Sequence, residues 1–226
     1  MAQPAGKPQP SSLALRIITA CIAAPVVLGI VYLGFPYYDM LIAIMALVLA
    51  FEWNRLCKGR PLWLVLGAIY IAVPCWALVH LRATGTDGAQ TLFWLLAVVW
   101  SADTGAYAFG RLIGGIKLAP VISPNKTWAG LIGAIATAGG TGAVAASVFG
   151  LGDLLTLAGW SAVIGAVSQA GDLVESWVKR HFGVKDTGAI LPGHGGMFDR
   201  VDGLLAAAVG VAVIEFFDKG NFLTWT

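Results

Sequence analysis

The chain has 226 residues, 58% hydrophobic, 12% charged and 11% aromatic, with a mean hydropathy of +0.80. Its charged share is about half that of soluble domains, which excludes a soluble globular fold. A net charge of +2, with the aromatic residues deep in apolar runs, excludes a nucleic-acid surface.

What remains is an integral membrane protein, expected to be an all-α polytopic transmembrane bundle. Residues 1–12, rich in Pro, Gln and Ser, read as a disordered tail. Apolar runs follow at 13–33, 40–51 with its flanks, 61–81, 91–109, 128–149, 154–170 and 201–217. A helix needs roughly 20 residues to cross the hydrocarbon, so these are about seven candidate crossings. The first is longer than a signal-peptide core and is followed by no clear small-x-small cleavage site, so it reads as a retained crossing. Residues 13–100 then form an N-terminal set of transmembrane helices, and 101–226 a catalytic region with polar loops.

With the N-terminus in the cytoplasm, twelve of the 14 basic residues fall on the inner side, and only Arg82 and Lys219 on the outer. Lys and Arg near crossing ends set topology, so this orientation is the expected one. The fifth run carries small residues at every fourth position, Gly130, Ala134, Ala138, Gly142, Ala146 and Gly150, a ridge that admits a second helix at close range. Cys21, Cys57 and Cys75 are scattered among apolar residues and read as small hydrophobes, not as a disulfide frame or a metal site.

The chemistry is expected where charge is expensive. Asp103 ends ten apolar residues and shares an i, i+4, i+8 face with Tyr107 and Arg111. It reads equally as a functional intramembrane acid and as an ion-pair partner of Arg111 or Lys117. Asn125, Lys126 and Thr127, with Ser123, open the fifth helix. They lack the glycine of a P-loop, yet can hold phosphate through side chains and a helix N-terminus.

Beyond the sixth run, Asp172, Glu175, Ser176, Lys179 and Arg180 share one helical stripe, extended inward by Ser168 and Gln169. A solvated face braced by Glu175 and Lys179 is the plain alternative. It leaves unexplained an acid where the apolar run has barely ended, at a cost of a few kcal/mol. The Gly-rich connector 183–198 cannot be a stable helix, and its glycines around His194 suit close approach of an anion.

Asp172 and Asp199 bracket that connector. Hard oxygen ligands from two segments suit Mg²⁺, and the adjacent Lys179, Arg180, Lys185 and Arg200 suit phosphate. Carboxylates plus cationic side chains around one inner-face cavity are the parts of phosphoryl or nucleotidyl transfer.

The stretch SWVKRHFGVKDTGAILPGHGGMFDRVD, from Ser176 to Asp202, closely resembles the signature of the phosphatidate cytidylyltransferases, or CDP-diacylglycerol synthases. The segments SADTGAY at 101–107 and SPNKT at 123–127 are similar to that family as well, whereas the first hundred residues match only in being hydrophobic. The chain looks shorter at its N-terminus than many relatives. The resemblance implies transfer of CMP from CTP to phosphatidic acid, giving CDP-diacylglycerol and pyrophosphate, by a homodimer in a bacterial inner membrane with its site facing the cytoplasm.

It further implies Mg²⁺ held by Asp172 and Asp199, with allowance for a second, monovalent cation such as K⁺. Ser176, Lys179, Arg180 and Asp202, with Lys185, His194 and Arg200, would belong to the catalytic region. Two alternatives stay open at this level: a CTP-dependent transferase on another lipid phosphate or a polyprenol, and, from another class, an ion-coupled transporter.

Overall fold

A computed structural model describes residues 12–84, 88–150, 153–188 and 195–218. Among these, seven long helices stand at the seven apolar runs: α1 (Ser12–Leu33), α2 (Tyr37–Cys57), α3 (Pro61–Ala83), α4 (Gly88–Leu112), α5 (Trp128–Phe149), α6 (Leu154–His181) and α7 (Phe198–Asp218). Five of them, α2 to α6, are long and apolar enough to cross a membrane. Their outward faces carry large exposed hydrophobes such as Leu47, Val65, Ile132, Val144 and Leu155. So much exposed apolar surface is stable against lipid, not water.

Local chemistry sets the helix ends. Gly34, at φ 69°, follows α1, and Lys58 and Gly59 turn left-handed after α2. Pro61 then starts α3, where its missing N–H is not needed. Thr127 caps α5, its hydroxyl accepting from the Gly130 amide at 3.0 Å, and Gly150 closes that helix at φ 65°. Asp153 caps α6 by accepting from the Thr156 amide at 3.0 Å. That bond holds the Asp153 carboxyl below its ordinary range. The cap is therefore complete above about pH 4 and is lost as acid protonates it.

The tightest packing is α5 between α4 and α6. Gly130, Ala134, Ala138, Gly142 and Ala146 of the small-residue ridge are all buried. Gly130 lies on Gly110, Gly133 on Phe109 and the Gly105 carbonyl, and Gly142 on Ser161 and the Leu157 carbonyl. The Thr137 hydroxyl crosses to the Ser101 carbonyl at 2.8 Å. Gly142→Val is expected to force α5 and α6 apart, costing about 1–3 kcal/mol or more. Thermal unfolding in detergent checks this.

One feature departs from an all-α chain. β1 (Lys117–Ala119) and β2 (Ser123–Thr127) pair antiparallel, Lys117 opposite Thr127 and Ala119 opposite Ser123. The segment expected to open the fifth helix is thus a strand that runs straight into α5.

At the same end of the bundle, Trp63 packs on Trp177, His181 and Phe182 with ring centroids 6.2, 4.8 and 4.9 Å away, and Arg60 lies over Phe182. Aromatic and cationic side chains of this kind are those enriched at membrane–water interfaces. α6, at ~42 Å, is longer than a hydrocarbon layer of ~30 Å.

Candidate active site

The polar stripe of α6 closes one wall of a cavity of about 380 Å³. α4 contributes Asp103 and Tyr107, the end of β2 Asn125, Lys126 and Thr127, α6 Gln169, Asp172 and Lys179, and the start of α7 Asp199, Arg200 and Asp202. Two hydrogen-bonded networks run through it.

The first is organised by Lys126. Its Nζ lies 2.7 Å from Asp172 Oδ2 and donates to Gln169 Oε1 at 3.0 Å. Gln169 Nε2 in turn donates to Asp103 Oδ1 at 2.9 Å, and the Ser176 hydroxyl to Asp172 Oδ1 at 3.2 Å. Asp103 is therefore tied to Gln169 rather than to Arg111, whose guanidinium reaches the Tyr107 hydroxyl at 3.2 Å.

The second centres on Lys179, which is 9% exposed and pairs with Glu175, one turn before it, and with Asp199 Oδ1 at 2.6 Å. The other oxygen of Asp199 accepts from the Gly196 amide at 2.9 Å and the Thr187 amide at 3.2 Å. The Thr187 hydroxyl lies 3.2 Å from Asp199 Oδ2 and 3.2 Å from Glu52 Oε2, with one proton to give between them. Glu52 also accepts from the amides of Met197 at 2.9 Å and Phe198 at 3.0 Å.

Between the networks, oxygens of Asp172, Glu175 and Asp202 all lie within 4.8 Å of one another. At that separation two unit charges repel by about 3.5 kcal/mol at an effective dielectric near 20. Glu175 is 3% exposed, and its Oε1 has no hydrogen-bond partner among the described residues. Three converging carboxylates and an orphaned buried acceptor fit a hard divalent cation of the Mg²⁺ kind.

The expected metal pair is arranged differently. Asp172 and Asp199 line the same cavity, but Asp199 spends its oxygens on Lys179, Thr187 and Gly196, so the carboxylates grouped with Asp172 are Glu175 and Asp202.

The remaining sequence candidates fall in three places. Asn125, Lys126, Thr127 and Arg200 face the cavity, Thr127 with its hydroxyl engaged as a helix cap. Ser123, Ser176, Arg180 and Lys185 are outside its lining. Arg180 bridges two loops through the carbonyls of Ile122 at 3.2 Å and Val184 at 2.8 Å. His194 lies outside the described residues.

Glu52 and Thr187 have no role in the site as read from the sequence, which places Gln169 only on the α6 stripe. Glu52 carried a usable signal, an acid between Phe51 and Trp53 at the end of an apolar run, the same cost that singled out Asp103 and Asp172.

Fold and cavity together describe a membrane-embedded helical bundle whose one end gathers carboxylates, lysines and an arginine around a polar space. The sequence model of the Cytidylyltransferase family matches residues 58–217, and the chain belongs to that family. It is 46% identical over 173 residues to the phosphatidate cytidylyltransferase of Brucella suis biovar 1 (strain 1330), covering 74% of this chain and 61% of the relative. To that of Rickettsia bellii (strain RML369-C) it is 33% identical over 223 residues, 95% of this chain and 94% of the relative. To that of Staphylococcus haemolyticus (strain JCSC1435) it is 42% identical over 154 residues, 67% and 58%. The chain thus spans about three fifths of the length of the Brucella relative.

Proposed function

We propose that this chain transfers CMP from CTP to phosphatidic acid, releasing pyrophosphate and forming CDP-diacylglycerol. The observation that carries this reading is the cluster of Asp172, Glu175 and Asp202 set between Lys126 and Lys179, at the end of the bundle where Trp63 and His181 pack together. In the transfer, a phosphate oxygen of the lipid attacks the α-phosphorus of CTP. The bond from that phosphorus to the bridging oxygen breaks, and pyrophosphate takes the electron pair.

No nucleophile of the protein is needed; the work is placement and neutralisation of charge. Lys126 and Arg200 face the cavity as anion partners, while Lys179 is held by Glu175 and Asp199 beside the acidic cluster. Asp103 and Gln169 fix Lys126 from behind. Mg²⁺, held by Asp172, Glu175 and Asp202, would neutralise phosphate charge and orient the triphosphate.

The same reading includes seven crossings with the cavity opening to the cytoplasm of a bacterial cell, supported by the basic residues concentrated on that side. CTP arrives from water and the lipid phosphate from the inner leaflet, and a cavity at headgroup depth serves both. The homodimer rests on the family resemblance alone.

The test is pyrophosphate release by the purified chain in lipid nanodiscs, with CTP and varied acceptors. Release that requires phosphatidic acid is expected, and EDTA is expected to abolish it, with recovery on adding Mg²⁺. Release with a polyprenyl phosphate and not with phosphatidic acid would redirect the reading to another lipid substrate. Turnover undiminished by EDTA would remove the metal.

A further inference from the structure

Glu52 stands six residues before the family match begins at residue 58, yet it is woven into the site. It sits on α2 at 1% exposure. A carboxylate so deeply buried is expensive unless its oxygens are satisfied, and here two main-chain amides donate to it with a hydroxyl in reach. The Met197 amide binds Oε1 at 2.9 Å, the Phe198 amide binds Oε2 at 3.0 Å, and the Thr187 hydroxyl lies 3.2 Å from Oε2. The first amides of a helix have no partner within it, and α7 receives its cap from another helix.

The strap around this carboxylate is built to its shape. A Cβ at Gly188 would sit 2.8 Å from Oε1, and one at Gly196 2.9 Å from Oε2. A side chain at Gly188 would thus press on Glu52, and one at Gly196 on both Glu52 and the Thr187 hydroxyl. Neighbouring Trp53 packs at a tilt against Phe198 with centroids 5.7 Å apart and donates from Nε1 to the Trp63 carbonyl at 2.6 Å, so α2 is itself anchored at this point.

Among the described residues, the donors to Asp199 Oδ2 are the amides of Gly196 and Thr187, with the Thr187 hydroxyl shared between Asp199 and Glu52, and they lie on the segments that Glu52 binds at Thr187, Met197 and Phe198. The other oxygen of Asp199 holds Lys179. We propose that Glu52 is a positioning residue for the transfer reaction, fixing through Thr187 and the start of α7 the orientation of Asp199 and with it the ammonium of Lys179. This rests on the cytidylyl-transfer reading of the cavity. Glu52 does not line the cavity, so its effect is on the rate at saturating substrate rather than on binding.

Glu52→Gln, Glu52→Asp and Thr187→Val, each in nanodiscs, test it by kinetics and by amide hydrogen exchange. In Glu52→Gln the new amide group turns a donor toward a main-chain N–H. A misplacement of this kind lowers kcat by about 10- to 100-fold. KM for CTP is expected to stay within about threefold, because ground-state binding is untouched.

Exchange at Gly196 to Asp199 is expected to quicken while exchange along α6 from Leu157 to Gly165 stays as in the wild type. Glu52→Asp, which keeps both acceptors, is expected to retain more kcat than Glu52→Gln. Thr187→Val, which removes the hydroxyl between Glu52 and Asp199 and keeps both the Thr187 amide and the amide caps, is expected to lower kcat in the same direction, and it decides the matter should Glu52→Gln fail to fold.

Wild-type kcat in Glu52→Gln or in Thr187→Val overturns the proposal. So does a loss accompanied by faster exchange throughout α6, which would mark a merely structural role. No turnover in the wild-type chain would fell the transfer reading itself, whereas wild-type turnover with unimpaired variants fells only the role of Glu52.

Discussion

Asp172→Asn is expected to leave a folded protein whose pyrophosphate release falls at least about a hundredfold, the scale for removing one preorganised electrostatic contact. The fold survives because the Asp172 side chain is 35% exposed at the cavity wall, and an asparagine oxygen still accepts from Ser176 or Lys126. What disappears is one of three carboxylates converging within 4.8 Å, and with it affinity for a divalent cation.

A control at the other end of the same helix makes the opposite trade. Asp153→Ala removes the cap from Thr156 and lowers the melting temperature, with turnover as in the wild type. Unchanged turnover in Asp172→Asn at subsaturating Mg²⁺ would exclude Asp172 from the metal site.

Much of the architecture was legible because hydrocarbon makes a simple demand on sequence. Each apolar run became a helix, since a backbone in lipid has no other way to satisfy its polar groups. The ends were less legible. The run at 201–217 begins three residues into α7, so Asp199 and Asp202 lie in the first turns of a helix instead of at its mouth. Apolarity marks where side chains meet lipid, whereas the helix extends to wherever its hydrogen-bond ladder can be capped, here by Glu52.

The hairpin at 117–127 has strands of three and five residues, too short for an alternating pattern to declare itself. The site divides the same way. The stripe from Asp172 to Lys179 follows from helical spacing alone. The choice of Glu175 and Asp202 over Asp199 as companions of Asp172 depends on which donors reach Asp199 first, and no spacing in the sequence carries that information.

Lys179→Met is expected to abolish turnover and also to destabilise the protein, by about 3–5 kcal/mol, because it strands buried carboxylates without their counter-charge. Lys179 is 9% exposed and paired with both Glu175 and Asp199, so removing it leaves two acids facing each other beside Asp172 and Asp202. Stability and chemistry can be separated by a second substitution. Glu175→Gln combined with Lys179→Met removes a partner from each side of the pair, and the double variant is expected to regain part of the lost stability, as for residues in direct contact. It is not expected to regain turnover, since neither the ammonium nor the third carboxylate of the cluster is restored. Thermal unfolding and pyrophosphate release on the single and double variants measure the two quantities independently. Turnover near the wild-type level in Lys179→Met would reduce this lysine to a structural counter-ion and leave phosphate neutralisation to Lys126 and Arg200 on the opposite walls of the cavity.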